Sequence, residues 1–301
     1  LCENNDEVVL WCYEDVVVKE INQTHENGRF LPGIKLDSKI KATNNLEEIF
    51  TDDCIVFEAI PVKFLRNILK NIKGFATKEQ IWIVLSKGFE EKTLMLPSQI
   101  IDDELGFEIK KAALAGPNFA KELCEKQFSA SDLATLDKNI YKTVSTTLQT
   151  DYFKTVFTDD LIGVQVGGVI KNILTILIGI AQGKGFGQNT KAFLLTKGFE
   201  QSAKLVEFLG GKQKTIYGLS GFGDLILTAT SGLSKNLRAG ILLGEGNDLE
   251  ELYKFFEVLP EGLNSVKSVY ELIQKNNLDL SFFKSIYQII FENKKFEDLL
   301  S

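Results

Sequence analysis

The stretch Leu161–Ala181, LIGVQVGGVIKNILTILIGIA, constrains this chain more than any other. It is apolar almost all the way round, and a helix of that kind has to be buried. Lys171 and Asn172 interrupt it at the centre. A buried ammonium without a partner is costly, so the helix demands a counter-charge from elsewhere in the chain. Desolvation also pulls a lysine down from its usual ~10.4, toward the range where it exchanges protons near neutral pH. Two plainer readings compete. The lysine stem could carry its charge out to water, or the segment could span a membrane, with Gly163-x-x-x-Gly167 as a packing pattern. A central lysine is expensive in lipid, and no aromatic belt or second span accompanies it. A functional buried lysine is therefore the expectation.

Composition narrows the chemistry. A 301-residue chain with 44% hydrophobic and 25% charged residues suggests about two domains. Its formal charge of -7 argues against a nucleic-acid partner. His25 is the single histidine, so a Ser-His-Asp triad or a histidine-rich metal centre has no material, and no metal is expected. The general base must be a carboxylate, lysine, tyrosine or cysteine. Cysteines at 2, 12, 54 and 124 form no C-x-x-C pair, which points to a reducing, cytoplasmic setting. The opening LCENNDEVVLW lacks the basic and apolar regions of a signal peptide.

Short β-rich runs fall at 7–13, 53–60, 80–86 and 111–115, with weaker ones at 129–134 and 153–157. Helical patterns such as Val62–Ile72 lie between them, which predicts a parallel sheet with helices on its faces. Beyond about residue 163 long helical patterns take over, at 164–182, 190–209, 248–257, 262–275 and 280–292. The expected architecture is α/β: a Rossmann-like, doubly wound domain over 1–163, then an all-helical substrate domain over 164–301.

Several short segments carry polar groups to strand ends or turns. In AGPNFAKEL a strand ends, Gly116-Pro117 turns, and a helix is expected with Pro117 near its first position and Asn118 at its N-terminus. Lys87 follows another strand in VLSKG. Asp224 sits in the glycine-rich GLSGFGDLILT, either as a helix N-cap or as the counter-charge Lys171 requires. Ser234-Lys235-Asn236 reads as a polar loop. GIAQGKG at 179–185 lacks P-loop spacing, and neither Gly-Phe-Gly triplet extends to G-x-G-x-x-G.

Taken together, EVVLW, NGRFLPG, SKG, AGPNFAKE, GVQVGGVIKN, GFGQNTKA, GFGDLILT, SKN and PEG, in that order, resemble the NAD(P)-dependent glycerol-3-phosphate dehydrogenases over essentially the whole chain. The resemblance implies hydride transfer between NAD or NADP and C2 of glycerol 3-phosphate or dihydroxyacetone phosphate, in the service of phospholipid synthesis. It implies Lys171 as proton acceptor, with Asp224 orienting it and Thr228 close by. Lys87 would touch substrate and cofactor, and Gly116, Asn118 and Asn172 would line the substrate site. Ser234, Lys235 and Asn236 would hold the phosphate. Tyr13, Ala120, Lys235, Leu259 and Glu261 would meet the cofactor. An acidic residue at Glu14 or Asp15 would favour NAD through the ribose hydroxyl.

Two departures accompany the resemblance. Position 235 is usually arginine in the family; lysine keeps the charge but loses the two-pronged grip on phosphate. The opening strand and its glycine loop are expected ahead of Leu1, so the chain is expected to be the greater part of a longer protein and, alone, a poor enzyme or inactive. Rival readings are another dehydrogenase of the 6-phosphogluconate type and a non-catalytic use of the same fold. The residues do not set the oligomeric state; a homodimer acting on a small molecule, without a membrane span, is retained as the expectation.

Overall fold

Short β-branched runs and longer helical patterns alternate through the first half, and each settles as its spacing dictates. The computed structural model describes every residue except Asp6, Asp52, Leu233 and Ser301. β1 (Val8–Trp11) leads into α1 (Asp15–Thr24), a hairpin of β2 (Glu26–Asn27) and β3 (Leu31–Lys35), and β4 (Ile40–Thr43). Then follow β5 (Ile55–Glu58), α2 (Val62–Ile72), β6 (Ile81–Val84), α3 (Pro97–Leu105) and β7 (Lys110–Ala115). α4 (Ala120–Cys124), β8 (Ser129–Ala134), α5 (Lys138–Leu148) and β9 (Phe153–Thr158) complete the alternation. Five strands line up as β5-β6-β7-β8-β9, with β5–β6, β6–β7 and β8–β9 parallel. β1 pairs with β4 in parallel, Val8 opposite Ile40 and Trp11 opposite Thr43. This is the Rossmann-like α/β arrangement. Among the described residues, β1 and β5 each end a ladder.

α2 shows the logic: Val62, Leu65, Leu69 and Ile72 recur on one face and are buried. The β2–β3 hairpin and β4 carry no comparable signal. β3 reads LPGIK, with Pro32 and with Gly33 at φ +77°, and Lys41 in β4 faces solvent. One expectation needs correcting. Pro117 does not open a helix; α4 starts at Ala120 behind Phe119, and Asn118 lies ahead of it. The Asn118 side chain is instead tied to β8, donating to Ser131 Oγ at 3.0 Å.

The second half is helical: α6 (Leu161–Gly183), α7 (Gln188–Phe208), α8 (Asp224–Thr230), α9 (Lys235–Gly244), α10 (Leu249–Phe255), α11 (Glu261–Asn276) and α12 (Ser281–Phe291). The chain divides into two compact units. One comprises 1–86, 98–114 and 118–159; the other comprises 87–97, 115–117 and 160–301. α8 and α9 are the helices the sequence pattern did not separate. Both are short, and the polar trio 234–236 is not a loop: Ser234 caps α9, and Lys235 and Asn236 are its first residues.

α6 starts at Asp160, whose side chain accepts from the Gly163 and Lys212 amides at 2.8 and 2.7 Å. Its apolar circumference is enclosed by α7, α8, α9 and α11. The tightest of these approaches is to α9. A Cβ on Gly240 would lie 2.1 Å from the Ile176 carbonyl oxygen and 2.8 Å from Gly179 Cα. A Cβ on Gly244 would meet the Ile180 carbonyl oxygen at 2.3 Å. The glycines of GIAQG at 179–183 therefore serve a backbone-to-backbone helix seam with GILLG at 240–244.

Candidate active site

Lys171 projects from the middle of α6, and its side chain is 12% exposed. It does not reach water along the helix. Its ammonium donates to Asp224 Oδ1 at 2.8 Å and to Thr228 Oγ1 at 3.2 Å. Asp224 and Thr228 stand one turn apart on α8 and so share a face. The Thr228 hydroxyl donates to the Asp224 backbone carbonyl at 2.7 Å, which turns its lone pairs toward Lys171. Two of the three ammonium hydrogens are thereby placed, and the third can meet an incoming oxygen.

Asp224 is not an N-cap. The cap position belongs to Gly223, at the end of a π turn spanning Leu219–Gly223. The carboxylate instead serves two lysines: Lys87 donates to Oδ2 at 2.6 Å while Lys171 holds Oδ1. This sharing was not legible in the sequence, where Lys87 is a lone cation after a strand. Adjacent glycines in α6 make room for it. A Cβ on Gly168 would come within 3.0 Å of the Lys87 stem, and one on Gly167 within 2.9 Å of the Ser220 carbonyl oxygen. The pair Gly167-Gly168, inside an otherwise bulky helix, was the available signal.

Electrostatics follow from that arrangement. Burial pushes Lys171 down, the neighbouring Lys87 adds to the fall, and Asp224 opposes it, leaving Lys171 at about 8. Burial alone would raise Asp224, but the two ammonium groups together outweigh it and hold the carboxyl below its ordinary value. Two cations on one anion leave a net positive site. Such a site favours developing negative charge on a substrate oxygen, and Lys171 sits within reach of neutrality to give or take the proton.

A second node lies one residue along α6. Asn172 is buried, and its Oδ1 accepts from Asn236 Nδ2 at 2.9 Å. Asn236 Oδ1 in turn accepts from the Gly262 amide at 3.0 Å. The start of α9, with exposed Lys235 and the Ser234 cap that accepts from Leu237 N at 3.2 Å, is thus tied to α6 and to the start of α11. Half-buried Leu259 and exposed Glu261 flank that last junction. Gly116 is buried in the turn whose Pro117 stands beside Gly223, where a Cβ would be 3.4 Å away. Tyr13 is 80% exposed after β1, and Ala120 is exposed at the start of α4. These two and Asn118 belong to the other compact unit.

Comparison with known proteins gives a consistent answer. The family described as NAD-dependent glycerol-3-phosphate dehydrogenase N-terminus matches residues 1–141, and its C-terminus counterpart matches 160–301. A glycerol-3-phosphate dehydrogenase [NAD(P)+] of Citrifermentans bemidjiense is 36% identical over 297 residues, covering 98% of this chain and 88% of that protein. The protein of the same name from Bacillus subtilis is 33% identical over 299 residues, covering 99% and 87%. The crystal structure of glycerol-3-phosphate dehydrogenase from Coxiella burnetii superposes with a TM-score of 0.91 at 30% identity, covering 100% of this chain and 92% of that one.

Proposed function

The chain belongs to the NAD-dependent glycerol-3-phosphate dehydrogenase family, and from that membership we propose that Lys171, Asp224 and Lys87 carry its chemistry. The protein is an oxidoreductase that interconverts glycerol 3-phosphate and dihydroxyacetone phosphate with NAD or NADP, and so feeds glycerophospholipid synthesis. The observation that carries the residue assignment is the shared carboxylate: two partly buried lysines held on buried Asp224 at 2.8 and 2.6 Å.

When bound, NAD(P) supplies the hydride acceptor or donor at C2. The chain's own residues handle the oxygen and its proton. In the oxidation direction neutral Lys171 takes the C2 hydroxyl proton, and in reduction its ammonium returns it. Asp224 and Thr228 fix the direction in which that nitrogen points. Lys87 adds positive field where the C2 oxygen becomes an alkoxide. Thr228, Asn172 and Gly116 line the substrate site, and Asn118 is a substrate position by family resemblance alone. The start of α9, with Ser234, Lys235 and Asn236, receives the phosphate, as helix N-termini do. The cofactor positions are proposed from the family resemblance. Exposed Tyr13 and half-exposed Glu14 follow β1 where an adenosine end is held in this fold, and Ala120, Leu259, Glu261, Lys235 and Lys87 are the remaining cofactor positions. Residues 1–163 are proposed as the dinucleotide-binding domain and 164–301 as the helical substrate domain. A homodimer is proposed as the assembly. A cytoplasmic location is proposed on the free state of Cys2, Cys12, Cys54 and Cys124.

The test follows NADH oxidation with dihydroxyacetone phosphate, and folded protein without turnover would count against the reading. The pH dependence separates this mechanism from others. With Lys171 near 8, glycerol 3-phosphate oxidation is expected to rise as pH climbs through about 8, because it needs the free amine. Dihydroxyacetone phosphate reduction is expected to fall over the same range, because it needs the ammonium. Parallel pH limbs in the two directions would remove Lys171 from the proton step. Lys235→Arg is expected to lower the substrate KM several-fold, in line with the stronger bidentate grip on phosphate. An unchanged KM would count against a phosphate role at that position.

A further inference from the structure

Glu58 is a buried acid that the mechanism above does not use. It ends β5 with 4% exposure, next to Val84 of β6 in the register. Its Oε2 accepts from Ser86 Oγ at 2.6 Å and its Oε1 from the Ile60 amide at 2.7 Å. The Ser86 amide contributes as well. The Leu85 amide, meanwhile, donates to the Glu58 backbone carbonyl at 2.8 Å. Main chain and side chain of one residue therefore grip the two residues that immediately precede Lys87. A carboxylate is a demanding choice for such a place. Ionised, it accepts on both oxygens at once, which an amide cannot do, and it carries the desolvation cost of a buried charge.

We propose that Glu58 is a positioning residue: by holding Ser86 through its hydroxyl and amide, it fixes the chain from which Lys87 reaches Asp224. The inference rests on the reading of Lys87 as a substrate-site lysine. Its physical content is a change of hydrogen-bond direction. Ionised, Glu58 only accepts, and Ser86 gives it a charge-assisted bond. Protonated, it becomes a donor, Ser86 Oγ has to turn from donor to acceptor, and the charge-assisted strength is lost. Burial pushes Glu58 up to about 7, against the pull of the Ser86 hydroxyl and the Ile60 and Ser86 amides, so both states are populated near neutral pH. The four residues of β6 carry no titratable group. Lys63, Arg66 and Lys70 of α2 and Lys87 itself are charged groups on the adjoining segments, and none of them is a cause of the shift.

The experiment reads Lys87 without requiring turnover. The protein is acylated briefly with limiting acetic anhydride between pH 6 and pH 8.5. Mass spectrometry then gives labelling of Lys87 relative to exposed Lys63. The ratio is expected to fall about fivefold as pH rises through the neutral range, because ionised Glu58 holds Lys87 on Asp224. Glu58→Gln should stay at the high ratio throughout, and Ser86→Ala should flatten the profile as well. Thermal melting supplies the companion readout. A folded-state value of about 7 against 4.5 gives stability that is fully present below 4.5 and lost as pH rises through 7. Wild type should therefore lose Tm relative to Glu58→Gln over that range. A Glu58→Gln protein that melts cooperatively and reproduces the wild-type labelling step would overturn the proposal. So would unfolding of both variants, which would make Glu58 a plain structural group. Absence of dihydroxyacetone phosphate turnover, with the labelling step intact, would sink the functional reading and leave this one standing.

Discussion

Lys171→Ala is expected to lower kcat in either direction by about three to four orders of magnitude while leaving the protein as stable as before or more so. The kinetic loss combines a positioned proton-transfer group, at about 10²–10⁴, with part of the positive field on the forming alkoxide. The stability expectation comes from counting charges. Lys171 and Lys87 share Asp224, and Lys171 is depressed because burial and Lys87 together outweigh that carboxylate. Removing one cation leaves Asp224 paired one to one with Lys87, so no buried charge is stranded. Breaking an ordinary buried pair strands its partner and costs about 3–5 kcal/mol. Single-turnover rates and thermal melts of the variant check both halves. Activity within tenfold of wild type would move the proton step elsewhere, and a collapse in Tm would make Lys171 a structural residue first.

The second large effect concerns a residue that touches no substrate. Gly240→Ala would ordinarily stabilise a helix by about 1 kcal/mol. Here it is expected to destabilise by about 2–3 kcal/mol, because the added carbon meets backbone that no rotamer change can move. The nearest atoms are the Ile176 carbonyl oxygen at 2.1 Å and Gly179 Cα at 2.8 Å. α6 and α9 have to separate, and the 2.9 Å bond from Asn236 to Asn172 is stretched with them. The substrate KM should therefore rise about tenfold alongside the loss of Tm. Gly74→Ala is the control, since nothing lies within 4 Å of its added carbon. Equal behaviour of the two variants would mean that the seam is slack.

The buried helix and its lysine, the alternation of strands and helices, and the need for a counter-charge were all legible in the sequence. Each depends on local period or on the cost of burying one charge, and both act over a few residues or none. The family resemblance singled out Lys87, Asp224 and Thr228 as well. What only the tertiary structure decided is who shares with whom. That Lys87 and Lys171 occupy the two oxygens of one carboxylate depends on residues 53 and 137 positions apart meeting in space. The same holds for the close α6–α9 approach, for Asn236 bridging Asn172 and Gly262, and for Glu58 beneath Ser86. The short α8 and α9 and the weak β2–β4 strands escaped the sequence pattern because packing stabilises them more than their own period does. Sequence determined which groups had to be buried; the distances at which they meet, and hence the charge state each can hold, belong to the fold.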